Sequence, residues 1–261
     1  MVEKTRHDPG NFCWVELGTS DATAAKKFYA SLFGWSLDEH PMGDGATYTM
    51  LEKNGKEAAA LYQLGAQEKE VPPHWTSYVC VENADDAAAR AKEFGGQVVV
   101  EPFDVMEYGR MAVLQDPTGA VFSVWQPRAH IGARIVNEPG SFCWNDLYTS
   151  DAKKAADFYI RLFGWKLNAR HMDFSDYVIF EGPGGMMAGT MQIPKEWGPV
   201  PPHWLVYFAV DDCDAAVDRA KGLGAKVTMP PMDIETAGRF AVLADPQGAG
   251  FAVIKLNPMP A

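Results

Sequence analysis

Over residues 11–19 the chain alternates, with Phe12, Trp14 and Glu16 on one face and Cys13, Val15 and Leu17 on the other. That two-residue period predicts a strand. From Ser20 or Asp21, either of which can cap a helix, the period lengthens. Ala24, Phe28 and Leu32 then recur at i, i+4 and i+8 as one apolar stripe, and Gly34 is placed to end it. Three short strands are expected next, at about 35–40, 45–52 and 57–63, separated by Gly43, Gly45 and the hairpin signal Asn54-Gly55. Residues 11–63 therefore read β-α-β-β-β, preceded by a polar stretch, 1–10, that predicts a loose arm.

The same order restarts after the Pro-rich stretch 64–73. A strand is expected at 74–81, a helix at 85–94 before Gly95-Gly96, and strands at 97–101, 108–115 and 120–126. Asp116-Pro117-Thr118-Gly119 carries the residue preferences of a type I turn. The whole plan then returns. FCWVELGTSDATAAKKFYASLFGW at 12–35 reappears as FCWNDLYTSDAKKAADFYIRLFGW at 142–165, VPPHW at 71–75 as 200–204, and GRMAVLQDPTGA at 109–120 as GRFAVLADPQGA at 238–249. Two copies at so long a period indicate duplication of a whole domain, not a solenoid. The expected domains are 11–127 and 140–256, with 127–140 joining them outside both; the second has helices near 151–163 and 213–223. The fold class is α+β, built from four βαβββ units.

Composition narrows the function classes. The chain has 261 residues, enough for two domains with their own cores, and is 47% hydrophobic. A formal net charge of -11 without a basic stripe argues against nucleic acid and anionic membrane surfaces as partners. No long apolar run or secretory leader is seen, and the four cysteines form no CxxC, so a cytoplasmic protein with reduced thiols is expected.

Four βαβββ units, FYxxLFGW closing each first helix and DPxG before each last strand make this chain resemble the vicinal oxygen chelate superfamily. That superfamily includes glyoxalase I, bleomycin-resistance proteins, fosfomycin-resistance enzymes and extradiol dioxygenases. The tandem layout with PPHW looks like the two-domain glyoxalase-like proteins of actinobacteria. The resemblance implies two cups, each formed by two units, with helices outside and the ligand inside. It also implies where metal-dependent members carry His, Gln or Glu. The first-strand position falls on Trp14 and Trp144, the next unit's first strand on Thr76 and Leu205, and the last strand on Ser123 and Ala252. These residues do not fill a standard metal site, so no cofactor is expected, and a displaced divalent metal would need other groups.

Such groups recur at equivalent positions: Glu16 with His74, and Asp146 with His203, an acid and an imidazole per cup that could orient a ligand or move a proton. Arg110 and Arg239 read as ion pairs at the start of a strand. Aromatic and hydroxyl side chains complete the candidate ligand sets: Trp14, Tyr48, Tyr62, Thr76, Tyr78, Ser123 and Trp125 in the first cup, Trp144, Tyr177 and Tyr207 in the second. Apolar walls with few polar groups suit a small flat molecule. The expected function is a glyoxalase-like protein acting on or binding a small carbonyl-bearing or aromatic compound. A metal-free sequestering protein of bleomycin-resistance type and a biosynthetic hydroxylase or oxygenase are the alternatives. The first cup, with Thr76 and Ser123 against Leu205 and Ala252, is the expected selective one. The internal duplication favours a monomer over a homodimer.

Overall fold

The computed structural model describes residues 3–43, 45–68, 70–172 and 175–257. The first half runs β1 (Phe12–Thr19), α1 (Ala22–Phe33), β2 (Ser36–Gly43), β3 (Ala46–Lys53), β4 (Lys56–Gln63), β5 (His74–Cys80), α2 (Ala84–Glu93), β6 (Gln97–Val105), β7 (Gly109–Gln115) and β8 (Val121–Pro127). The second repeats it: β9 (Phe142–Thr149), α3 (Ala152–Phe163), β10 (Lys166–Met172), β11 (Ser175–Gly182), β12 (Gly185–Gln192), β13 (His203–Ala209), α4 (Cys213–Gly222), β14 (Lys226–Ile234), β15 (Gly238–Ala244) and β16 (Gly250–Leu256). Each half is one eight-stranded sheet, β2-β3-β4-β1-β5-β8-β7-β6 and β10-β11-β12-β9-β13-β16-β15-β14. The two units of a half meet at the antiparallel pair β1–β5 or β9–β13, so each cup is built within its own half.

Local chemistry accounts for the elements. Asp21 caps α1 by accepting from the Ala24 amide at 3.0 Å, and Gly34, at φ 69°, ends the helix by donating to Ala30 O. The buried face of α1 is broader than one stripe: Ala25, Phe28, Tyr29, Leu32 and Phe33 are all covered. The reason is that α1 meets the other half as well as its own. Phe33 lies 5.0 Å from Phe208, and Tyr29 lies 5.6 Å from Phe251. The mirror contacts, Phe122 with Phe158 and Tyr159, seat α3 on β8. One continuous apolar core results, drawn from both halves.

Polar groups buried in this core are paired across it. Tyr29 Oη donates to Asp245 Oδ2 at 2.9 Å and accepts from Trp75 Nε1 at 3.0 Å. Tyr159 Oη donates to Asp116 Oδ2 at 3.1 Å and accepts from Trp204 Nε1 at 2.9 Å. The other oxygen of Asp116 takes the amides of Thr118, Gly119 and Ala120, which with the Gly119 N–H to Asp116 O bond makes the expected turn. Trp35 Nε1 donates to Gly140 O and Trp165 Nε1 to Gly10 O, both at 2.7 Å.

Two expectations are corrected. The arm is not loose over its described part: Lys4 N–H donates to Arg134 O, and His7 Nε2 bonds Ala133 O at 2.8 Å. The connecting segment 127–140 is not outside both cups. Ala133 and Ile135 are buried, and His130 lines the first cavity. The arm and the connector bury each other's backbone groups, which polar composition alone did not reveal.

Removing one shared hydroxyl tests the cross-half lock. Tyr29→Phe leaves Asp245 Oδ2 and Trp75 Nε1 without their partner and should cost about 1–3 kcal/mol in urea unfolding. Tyr159→Phe should cost a similar amount, and the double variant close to the sum. Losses below about 0.5 kcal/mol in both would show that the hydroxyls contribute little.

Candidate functional site

The face of each sheet turned away from the shared core forms the cup. In the first half, β1 contributes Trp14, Glu16 and Gly18, and β5 contributes His74, Thr76 and Tyr78, in register as Trp14–Tyr78, Glu16–Thr76 and Gly18–His74. Tyr78 is level with Ser123 on β8. Cys13, Val15 and Leu17 point the other way and are fully buried. Tyr48, Tyr62 and Trp125 also line the cavity, so the sequence-derived first-cup set is brought together. The open cavity measures about 1720 Å³ and extends across the second half, where Tyr148, His203, Leu205, Met229 and Val242 line it.

Glu16 is the polar centre. Tyr48 Oη donates to its Oε2 at 2.5 Å and Tyr78 Oη to its Oε1 at 2.9 Å. Trp14 Nε1 points at Tyr48 Oη, 3.4 Å away. Burial raises the Glu16 carboxyl above its ordinary value, against the pull of the two hydroxyls, which favour the charged form. Burial and the adjacent Glu16 charge hold both phenols well above the usual tyrosine range, so they remain donors. His74 is turned to the rim, its Nδ1 2.8 Å from Pro72 O, and Glu16 bonds the tyrosines, not His74.

The second half has the same backbone and a different interior. Tyr177 Oη donates to Asp146 Oδ1 at 2.6 Å, and Trp144 Nε1 donates to the same oxygen at 2.8 Å. Gly189 permits this: a Cβ there would stand 1.8 Å from Tyr177 Oη. Burial raises the Asp146 carboxyl, opposed by bonds from Tyr177, Tyr207 and Trp144. Tyr148 stands where the first cup has Gly18 and stacks on His203 at 5.3 Å and 17°. Tyr148, Leu205, Tyr207, Phe240, Ala252 and Ile254 form a small core of their own. Of the second set, His203 lines the cavity, whereas Trp144, Asp146, Tyr177 and Tyr207 do not. Burial lowers the His203 pKa, and its Nδ1 is bonded to Pro201 O.

Arg110 pairs with Asp85 and Asp104, and Arg239 with Asp214 and Asp233, all away from the cups, as expected of ion pairs at strand starts. Among the described residues no three His, Cys, Asp or Glu side chains converge on a point where a metal could sit. At the first-strand positions that the resemblance implies for metal ligands, Trp14 and Trp144 offer only N–H donors, and the two oxygens of nearby Glu16 already hold phenols. This donor set does not fit a divalent cation. The residue that pattern reading missed is His130, which sits in a polar connector; the apolar Ile131 and Ile135 around it were the available signal.

The raised Glu16 carboxyl has a pH signature. A carboxyl whose folded pKa exceeds its unfolded value near 4.5 contributes stability below that pH and loses it as pH rises through the folded value. Glu16→Gln cannot ionise, so its stability relative to the unsubstituted protein should increase as pH rises from about 4.5 to neutrality. Urea unfolding of both proteins across that interval reads the difference directly. A flat or falling difference would contradict the direction of the shift.

Comparison with known proteins agrees with this architecture. The model of the Glyoxalase/Bleomycin resistance protein/Dioxygenase superfamily matches residues 12–124 and again 141–253. A Mycobacterium tuberculosis protein named as a glyoxylase, CFP32, is 41% identical over 264 residues, covering 99% of each chain. The anthracycline biosynthesis protein DnrV of Streptomyces peucetius is 37% identical over 265 residues, covering 97% of this chain and 96% of its own. The Mn(II)-bound glyoxalase of Novosphingobium aromaticivorans superposes with a TM-score of 0.64 at 16% identity, over 97% of this chain and 86% of that one. The 2,3-dioxygenase LapB of Pseudomonas sp. KL28 gives 0.66 at 12% identity, over 100% and 95%; at such identities these two speak for the fold alone. With both halves matched and relatives aligned over nearly its whole length, the chain belongs to the Glyoxalase/Bleomycin resistance protein/Dioxygenase superfamily.

Proposed function

We propose that the first cup is a binding site for a small, flat, partly aromatic molecule carrying hydroxyl or carbonyl oxygen. The second cup is then a copy with a more apolar interior that supports the first. The observation that supports this reading is the polar lining of the first cup: Ser123 Oγ and His130 Nε2 are buried in its wall with no partner among the described residues, whereas the position of Ser123 in the second half is Ala252 in an apolar cluster. Trp14, Tyr62 and Trp125 supply flat apolar surface. Glu16 and the hydroxyl oxygens of Tyr48 and Tyr78 supply acceptors, because both phenol protons are already committed to the carboxylate. A phenol or enol O–H is the complementary ligand group. The relatives named for anthracycline biosynthesis and as glyoxylases support ligands of aromatic and carbonyl type respectively.

Turnover at this site would rest on Glu16. A buried carboxylate with a raised pKa is a stronger base than a solvated one and can accept a proton from an acidic C–H or O–H of the bound molecule. The two phenols then keep the carboxyl oriented in either protonation state. Without that proton transfer, the same cup acts as a sequestering site.

Tryptophan fluorescence titration with 1,8-dihydroxyanthraquinone tests the assignment, since Trp14 and Trp125 line the cup. Glu16→Gln and Tyr48→Phe should each weaken binding about tenfold, equivalent to about 1.4 kcal/mol. Asp146→Asn should leave it within about twofold. Sensitivity to Asp146→Asn alone would move the site to the second cup.

A further inference from the structure

The segment joining the two halves delivers a side chain into the first cup. After β8, Trp125 Nε1 donates to the carbonyl of His130 at 2.9 Å, and three residues later the Ala133 amide donates to Cys13 O at 2.8 Å. Gly132 makes that close approach to β1 possible: its φ is +99°, and a Cβ there would stand 2.3 Å from Cys13 O. Held at both ends, the His130 ring stands edge-on to Trp14, with centroids 4.8 Å apart at 86°, and to Trp125, at 5.9 Å and 76°. The orientation of this imidazole is therefore set by the backbone of the connector and by two indoles.

Its Nε2 is buried in the cavity wall and has no hydrogen-bond partner among the described residues. Glu57 Oε2 is 3.9 Å away, beyond hydrogen-bonding reach, and pairs with Arg134 at 3.3 Å. Burial lowers the His130 pKa to about 4, so the ring is neutral at neutral pH and Nε2 is either a single donor or a single acceptor. A buried nitrogen of this kind costs free energy until something pairs with it. His130 and Trp14 line the same cavity and their rings are in contact. We propose that His130 is a specificity-determining residue of the first cup, its Nε2 hydrogen-bonding an oxygen of the bound aromatic molecule. The assignment rests on the first cup being the ligand site.

The experiment compares 1,8-dihydroxyanthraquinone with anthraquinone, which has the same ring system without the hydroxyls, by tryptophan fluorescence titration. The proteins are the unsubstituted chain, His130→Phe, which keeps a flat ring beside Trp14, and His130→Gln, which restores a hydrogen-bonding group. The unsubstituted protein should prefer the dihydroxy compound. His130→Phe should lose about tenfold in affinity for it and keep its affinity for anthraquinone within about twofold, and His130→Gln should recover part of the preference. Near-ultraviolet circular dichroism of each variant confirms an intact cup. Full preference retained in His130→Phe, or equal losses for both compounds, overturns the role of His130 and leaves the reading of the cup standing. Failure of the unsubstituted protein to bind either compound overturns both.

Discussion

A buried phenol proton must find an acceptor, and in each half of this chain one does so by crossing to the other. Tyr29 reaches Asp245, and Tyr159 reaches Asp116. Each aspartate spends its second oxygen on the backbone amides of its own turn, so the turn, the helix and the tryptophan of PPHW are set by one carboxylate. Burial keeps both tyrosines well above their ordinary pKa and raises that of Asp245, so the hydroxyls stay protonated and donating. The Trp35 and Trp165 bonds to Gly140 and Gly10 add a second crossing, at the residue pair where each half begins its first strand. The longest repeated motifs of the sequence are therefore parts of one reciprocal lock. Their identity in the two copies reflects the scaffold.

With one face of each sheet committed to that lock, the other is free to differ, and it does so at few positions. Gly18 against Tyr148, Thr76 against Leu205, Ser123 against Ala252 and Tyr62 against Met191 all lie on the cup side. Three of these replacements, at Thr76, Ser123 and Tyr62, remove a hydroxyl from the second copy, and at the fourth the ring that Tyr62 lays over Gly18 is supplied by Tyr148 itself. The acid shortens as well: Asp146 sits lower than Glu16 would, and Gly189 lets Tyr177 close over it. The result is a small apolar cluster in the second half, with Tyr148 and Leu205 on the wall of the shared cavity.

The fold was legible because its signals are local and repeated. Alternation marked β1, Asp21 and Gly34 bounded α1, and the Asp116 turn announced itself by residue type. Strand period grouped Trp14 with Glu16, the family resemblance assigned that face to the cup, and both side chains line the cavity. What periodicity could not supply was partnership. Glu16 was matched with His74 because both recur in each copy, whereas the hydrogen bonds go to Tyr48 and Tyr78, on strands far away in sequence. The wide buried face of α1 was hidden because its cover comes from β13 and β16. His130 was hidden because a connector carries no period, and its depth depends on Gly132 meeting the Cys13 carbonyl.

Unpaired polar atoms separate the two cups most sharply. Ser123 Oγ and His130 Nε2 are both buried beside the first cavity without a partner among the described residues. The position equivalent to Ser123 in the second half is Ala252, inside a cluster that buries only carbon at that point. If the first cup were merely a scaffold element, the apolar solution adopted by its copy would be the more stable one, since a buried unpaired hydroxyl or imidazole carries a desolvation cost that alanine avoids. The cup instead keeps both atoms, along with an acceptor cluster whose own protons are spent on Glu16. That combination is costly for a protein alone and favourable once an oxygen-bearing molecule lies against Trp14, which is the physical argument for placing the ligand in the first half.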